Sequence, residues 1–145
     1  MPEDAKHIRQ AAHNEEVLSL FSATKKEAYF GDWYVTIAFY TSLHYVEAIV
    51  FRKRKFNIYR QTTVSGRHSS EIKRIIGETS EHVVRNKLLF NNPHIFNDMY
   101  IPYGTLYEMS RVARYDCHDT PCNEYIDAEL CLDKIKNLFK KIMKN

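Results

Sequence analysis

Apolar residues along this chain return at intervals of three and four, not two, and they do so in separate stretches that each predict a helix. From about Asp4 to Tyr29, Ile8, Ala11, Ala12, Val17, Leu20, Phe21 and Ala28 keep a loose helical period among polar neighbours. Phe30-Gly31-Asp32 then reads as a stop and a start. Gly31 suits the position just past a helix, and Asp32 suits the cap of the next. The second stretch, about Trp33 to Arg54, is the most apolar: Val35, Ile37, Phe39, Leu43, Val46, Ile49 and Val50 cover more than one stripe. Such a helix is expected to be central, or to bury a second face against a partner chain.

A loop is expected over Asn57 through Gly66, and a third helix from about His68 to Phe90, bent at Gly77. Asn91-Asn92-Pro93 ends it. A fourth pattern begins near Ile95 and runs through Met99, Tyr103, Leu106, Met109 and Val112 to about Tyr115. Pro102 sets its regular start at or just before itself, because a proline deeper inside a helix removes a hydrogen bond. Thr120-Pro121 reads as an N-cap followed by proline at the first helical position, opening a last helix from about Cys122 to Met143.

The expected fold is therefore all-α: an up-and-down bundle of four long helices plus a shorter or broken fifth, with no sheet, as one domain over residues 1–145. Composition strengthens this. Gly and Pro number only four each, too few for the frequent turns of a sandwich or barrel. Ten Tyr and eight Phe supply core volume, and 145 residues can bury a core without disulfides or metals. The formal charge of +3 and pI near 8.7 permit an anionic partner without the strong basic footprint of a dedicated nucleic-acid binder. Cys117, Cys122 and Cys131 are odd in number and read as free thiols in a reducing compartment. Met1-Pro2-Glu3-Asp4 opens directly into polar sequence, and no apolar run approaches the ~18 residues that span a bilayer. The expectation is a cytoplasmic protein with no membrane partner.

Chemistry concentrates in Arg111-Val-Ala-Arg-Tyr-Asp-Cys-His118. Seven helical steps make about two turns, which places Arg111 and His118 on one face. A guanidinium holds phosphate oxygens in a bidentate fork, and an imidazole carries or yields a proton near neutral pH. Together they suffice to cleave a phosphodiester at a ribose 2′-hydroxyl without a metal. The same spacing also fits an Arg and a His that pair with carboxylates such as Asp116 or Asp119. Arg114 widens the cationic face, Tyr115 can stack on a base, and Asp116 can orient His118; equally, Arg114 and Asp116 can form a structural ion pair.

Gly31-Asp-Trp-Tyr-Val-Thr-Ile-Ala-Phe-Tyr-Thr-Ser-Leu-His-Tyr-Val-Glu-Ala48 resembles the second helix of the HEPN superfamily, with its Asp-Trp-like start, the aromatic pair Phe39-Tyr40, and His44. His68 in Gly-Arg-His-Ser-Ser and Tyr107-Glu-Met-Ser-Arg-Val-Ala-Arg-Tyr-Asp116 also look like this family, so the match spans about Ala28 to His118. The resemblance implies a HEPN-like helical bundle, binding of RNA or a nucleotide, and a homodimer in which two Arg-x4-6-His motifs meet. For nuclease members it implies metal-independent endoribonuclease activity in toxin or defence systems, with Arg111 and His118 catalytic. Val112 stands where such members more often carry Asn or Asp. Other members are catalytically inactive and pair with a nucleotidyltransferase or antitoxin partner, and this reading stays open beside the first.

Two further features carry candidate roles. His44 and Glu47 lie three apart on one helical face, but the seven histidines are scattered and no cysteine pair has zinc spacing, so neither metal nor cofactor is expected. His44 is instead a candidate for the phosphate-binding cleft, or a half-buried hydrogen-bonded residue. Phe51-Arg52-Lys53-Arg54-Lys55-Phe56 interleaves cations with aromatics, as single-strand RNA binding requires. The same four cations would also offset the negative end of a helix.

Overall fold

The second helix organises everything else. The chain is described here by a computed structural model over residues 2–53, 63–64, 67–68, 81–115 and 124–144. It forms α1 (Glu3–Ala23), α2 (Gly31–Arg52), a two-residue hairpin ladder β1 (Thr63–Val64) and β2 (Arg67–His68), α3 (Glu81–Asn91), α4 (Pro93–Phe96), α5 (Tyr100–Tyr115) and α6 (Glu124–Lys144). Helices α1, α5 and α6 all pack on α2. Their directions follow from which residues meet. Asp4 meets Arg52, Glu15 meets Tyr45 and Phe21 meets Tyr34, so α1 and α2 are antiparallel. Tyr40 meets Arg114 while Tyr103 lies in the field of Glu47, two turns further along α2, so α5 runs against α2 as well. Tyr34–Tyr125 and Tyr45–Phe139 make α6 parallel to α2. The four long helices thus alternate in direction, as expected of an up-and-down bundle.

On α2 only Trp33 and Arg52 are exposed. The surplus apolar face that pointed to a partner chain is covered within one chain by three helices. The buried hydroxyls of this segment need no outside partner: Thr41 donates to the Ile37 carbonyl at 2.7 Å and Ser42 to that of Phe39 at 2.6 Å. Phe39 is fully buried against the rings of Tyr40, His82, Tyr103 and Tyr107. Among the described residues, α2 is also the one helix long and apolar enough to cross a membrane by length and composition, which corrects the reading that no stretch comes close. Within the fold, 72% of its apolar window is buried, as in a core helix.

Several boundaries differ from the pattern. Helix α1 stops at Ala23, not Tyr29, because Lys25 turns left-handed at φ 55°. The Lys26 N–H then donates to the Phe21 carbonyl at 2.9 Å and the Lys25 N–H to that of Ser22 at 3.1 Å. This double closure satisfies carbonyls at the helix end, with a lysine where glycine is usual. Gly31 and Asp32 accordingly are not a stop and a cap. They are the first two residues of α2, and the Asp32 carboxylate sits at the positive end of the helix dipole.

His68 does not open a helix; it pairs with Thr63 across the ladder, next to Val64 paired with Arg67. This ladder is the one extended pairing among the described residues and modifies the expectation of no sheet, while the all-α class stands. The third helix is described from Glu81, and Gly77 lies outside the described residues. The fourth pattern is divided into α4 and α5 where Asn97 and Asp98 both take positive φ, a conformation these short polar side chains tolerate. Pro102 then falls in the first turn of α5, where its missing N–H would have had no helical partner. Thr120-Pro121 lies outside the described residues.

Candidate functional site

The C-terminal end of α5 holds the described part of the Arg111–His118 constellation. Arg111 donates through Nε and Nη2 to Glu108 Oε2 at 3.2 and 2.9 Å. Both side chains are more than half exposed, 54% and 59%, so this pair is worth no more than ~1 kcal/mol and yields readily to a stronger acceptor. Arg114 is held differently. Its Nε donates to the Ser110 carbonyl at 3.2 Å, and its Nη1 donates to the Tyr40 hydroxyl at 2.9 Å. The guanidinium carbon lies 5.8 Å from the centre of the Tyr40 ring, within cation–π range. Tyr40 thereby fastens the end of α5 to α2 and fixes the direction of the Arg114 fork. Behind it, His82 on α3 packs against Phe39 and Tyr107 at 5.6 and 5.5 Å. Asp116 and His118 lie outside the described residues, as does the side chain of Tyr115.

The sequence-predicted phosphate contacts divide into two groups. Tyr40, His44 and Glu47 recur at i, i+4 and i+7, so one stripe of α2 carries the partner of Arg114 and then His44 one turn later. Among the described contacts, however, His44 meets His7 of α1 and neither Arg111 nor Arg114. The two Nδ1 atoms are 2.9 Å apart. The ring centroids stand 5.2 Å apart and the planes are tilted by 32°. Phe51 stacks on His7 at 5.3 Å. Burial and the facing His7 push His44 down to about 4, against the opposing pull of Glu47. Burial also lowers His7, again opposed by Glu47.

One turn beyond His44, Glu47 accepts a hydrogen bond from Arg85 Nε of α3, with both side chains almost wholly buried. Tyr103 of α5 is fully buried in the field of this pair, and its phenol is raised above its ordinary range, chiefly by burial. Of the four-cation run, Arg52 donates to Asp4 at 2.5 Å and ties the end of α2 to the start of α1. Burial of Asp4 works to raise its carboxyl, but the bond and charge of Arg52 outweigh it and hold it low. Lys53 caps α2 in an extended conformation, and Arg54 and Lys55 lie outside the described residues.

Sequence reasoning gave no role to His7, Arg85 or His82, and it quoted Tyr40 only as part of an aromatic pair. Their partners sit on other helices, so no periodicity within one helix could have found them. Among the described residues no three metal-ligating side chains converge. Cys131 is a half-buried free thiol whose pKa burial raises. Between α5 and α6 lies an open groove of about 600 Å³, lined by Met109, Val112, Leu130 and Cys131 and edged by Glu108, Glu124 and Asp127. Comparison with family models, with curated proteins and with solved structures finds no match to this chain.

Proposed function

We propose that this chain is a HEPN-like domain that binds RNA at the C-terminal end of α5 and cleaves it without a metal. The observation that carries the reading is the pair of arginine forks at that end. Arg114 is aimed by Tyr40, and Arg111 pairs with Glu108 on the exposed surface. An exposed carboxylate is easily exchanged for a phosphate, to which a guanidinium binds with two parallel bonds. The chain then leads from Arg114 directly into Tyr115, Asp116 and His118. In this reading Arg111 and Arg114 hold the scissile phosphate and offset its developing charge. His118 moves the proton of the attacking 2′-hydroxyl, and Asp116 orients His118. A homodimer would bring two such sites together. Since α2 is covered, the apolar surface for it comes from α5 and α6, where Val112, Ile126 and Leu130 are exposed.

The experiment is RNA cleavage in the presence of a chelator. Wild type is expected to cut and His118→Ala to lose ~10²–10⁴-fold in rate. Arg111→Lys should fail nearly as badly as Arg111→Ala, because a lysine lacks the planar fork. Intact RNA with wild type, or unchanged cutting by His118→Ala, overturns the catalytic assignment.

A second reading has its own support in the apolar floor of the α5–α6 groove. There the domain is a catalytically inactive module that holds a nucleotidyltransferase or an antitoxin partner. RNA binding without cleavage would leave the module reading standing.

A further inference from the structure

The contact between His7 and His44 is independent of the RNA reading and has a property of its own. The centroid separation of 5.2 Å is close to the Nδ1 distance plus the two ring radii, so the rings meet nearly end to end. Their lone-pair directions therefore oppose each other and do not converge on a third point. That is the geometry of one shared proton: one Nδ1–H donates and the other Nδ1, bare, accepts. A first extra proton can be taken on the donor's remote nitrogen. A second cannot, because it places two N–H groups and two positive charges face to face.

The surroundings oppose even the first. Both rings are half-buried, and Arg85 from α3 adds a positive field that Glu47 from α2 offsets. Glu47 is itself committed to Arg85. Glu3 and Asp4 on α1 favour a charged His7, but Glu3 pairs with Lys6 and Asp4 with Arg52. Among the described contacts, Asp4–Arg52 and His7–His44 tie the tip of α1 to α2 by polar groups, beside the stacking of Phe51 on His7. Of the two polar ties, the histidine pair is the one that protons taken up in mild acid can break.

We infer that the His7–His44 bond is a proton-operated latch that holds the first half of α1 on α2 at neutral pH and releases it in mild acid. Released histidines regain ordinary proton affinity, so each unit of pH below the ordinary histidine range favours the open form further. Opening uncovers the α2 stripe that carries His44 and Glu47, one turn from Tyr40.

The test is hydrogen exchange of the intact chain at pH 7.5 and pH 5, corrected for intrinsic exchange rates. Amides in the first half of α1 are expected to lose on the order of tenfold in protection at pH 5 relative to those of α6. His44→Gln can hydrogen-bond His7 without titrating, and should show no such pH-dependent difference. Should that variant not fold, nitrogen resonances of the wild-type imidazoles decide. At pH 7.5 one of His7 and His44 should carry a proton on Nδ1 and the other a bare Nδ1, and both should titrate below the ordinary histidine range. Equal loss across all helices, no loss at α1, or titration of both rings within the ordinary histidine range overturns the latch.

Discussion

Arg85 and Arg114 are the same side chain on neighbouring helices, and their surroundings make them opposites. Arg85 is buried with Glu47 as its carboxylate partner, near the fully buried Tyr103. Arg114 is exposed, and its described contacts include a neutral hydroxyl, an aromatic face and a helix carbonyl. A buried cation with a dedicated anion has no capacity for a ligand, because losing the partner strands a charge in a medium of low polarity. An exposed cation stays within reach of an arriving ligand, and water screens whatever partner it exchanges. The position of an arginine relative to solvent, more than its presence in a motif, separates scaffold from site.

The largest effect should come from breaking the buried pair on one side. Arg85→Ala or Glu47→Ala is expected to cost about 3–5 kcal/mol in chemical denaturation, since the remaining charge is left uncompensated. Arg111→Ala, which removes an exposed side chain and its exposed pair with Glu108, should fall within about 0.5 kcal/mol of wild type in the same measurement. Similar losses for the two arginines would erase the distinction drawn between them.

A smaller effect is expected from pH. His7 and His44 are both held below the ordinary histidine range in the folded chain, His44 at about 4. The unfolded chain therefore binds more protons once pH falls below about 6.5, and stability declines from there toward pH 4. Because both rings are partly solvated, the loss by pH 5 should be about 1–2 kcal/mol, not the full value of the shift. Urea midpoints at pH 7.5 and 5 measure it. A midpoint that rises in acid contradicts the sign.

The bundle itself was legible because its information is local. The apolar period of α2 and α6, the position of Pro102 and the scarcity of Gly and Pro each point to helices without reference to distant residues. What the pattern missed depended on one unusual backbone or on distant pairs. Lys25 closes α1 in a conformation that the sequence would have assigned to Gly31. His7 and His44 are 37 residues apart, and Glu47 and Arg85 are 38 apart. Nothing in either helix alone marks them as partners. The same holds for Tyr40 and Arg114, separated by 74 residues, although Arg114 itself was picked out by its place beside Arg111. The apolar excess of α2 was read correctly as a demand for burial. That demand is met by α1, α5 and α6 of the same chain.

The central claim is that RNA meets this protein at the end of α5. Chemical-shift mapping with a short RNA methylated at every 2′-hydroxyl, and so resistant to cleavage, tests it in the folded protein. The largest shifts are predicted at Ser110 through Arg114 and at Tyr40, with Arg111→Ala weakening the titration and reducing its salt dependence. Shifts confined to the Lys6, Arg9 and His13 face of α1, or no shifts at RNA concentrations that saturate other single-strand binders, would contradict it.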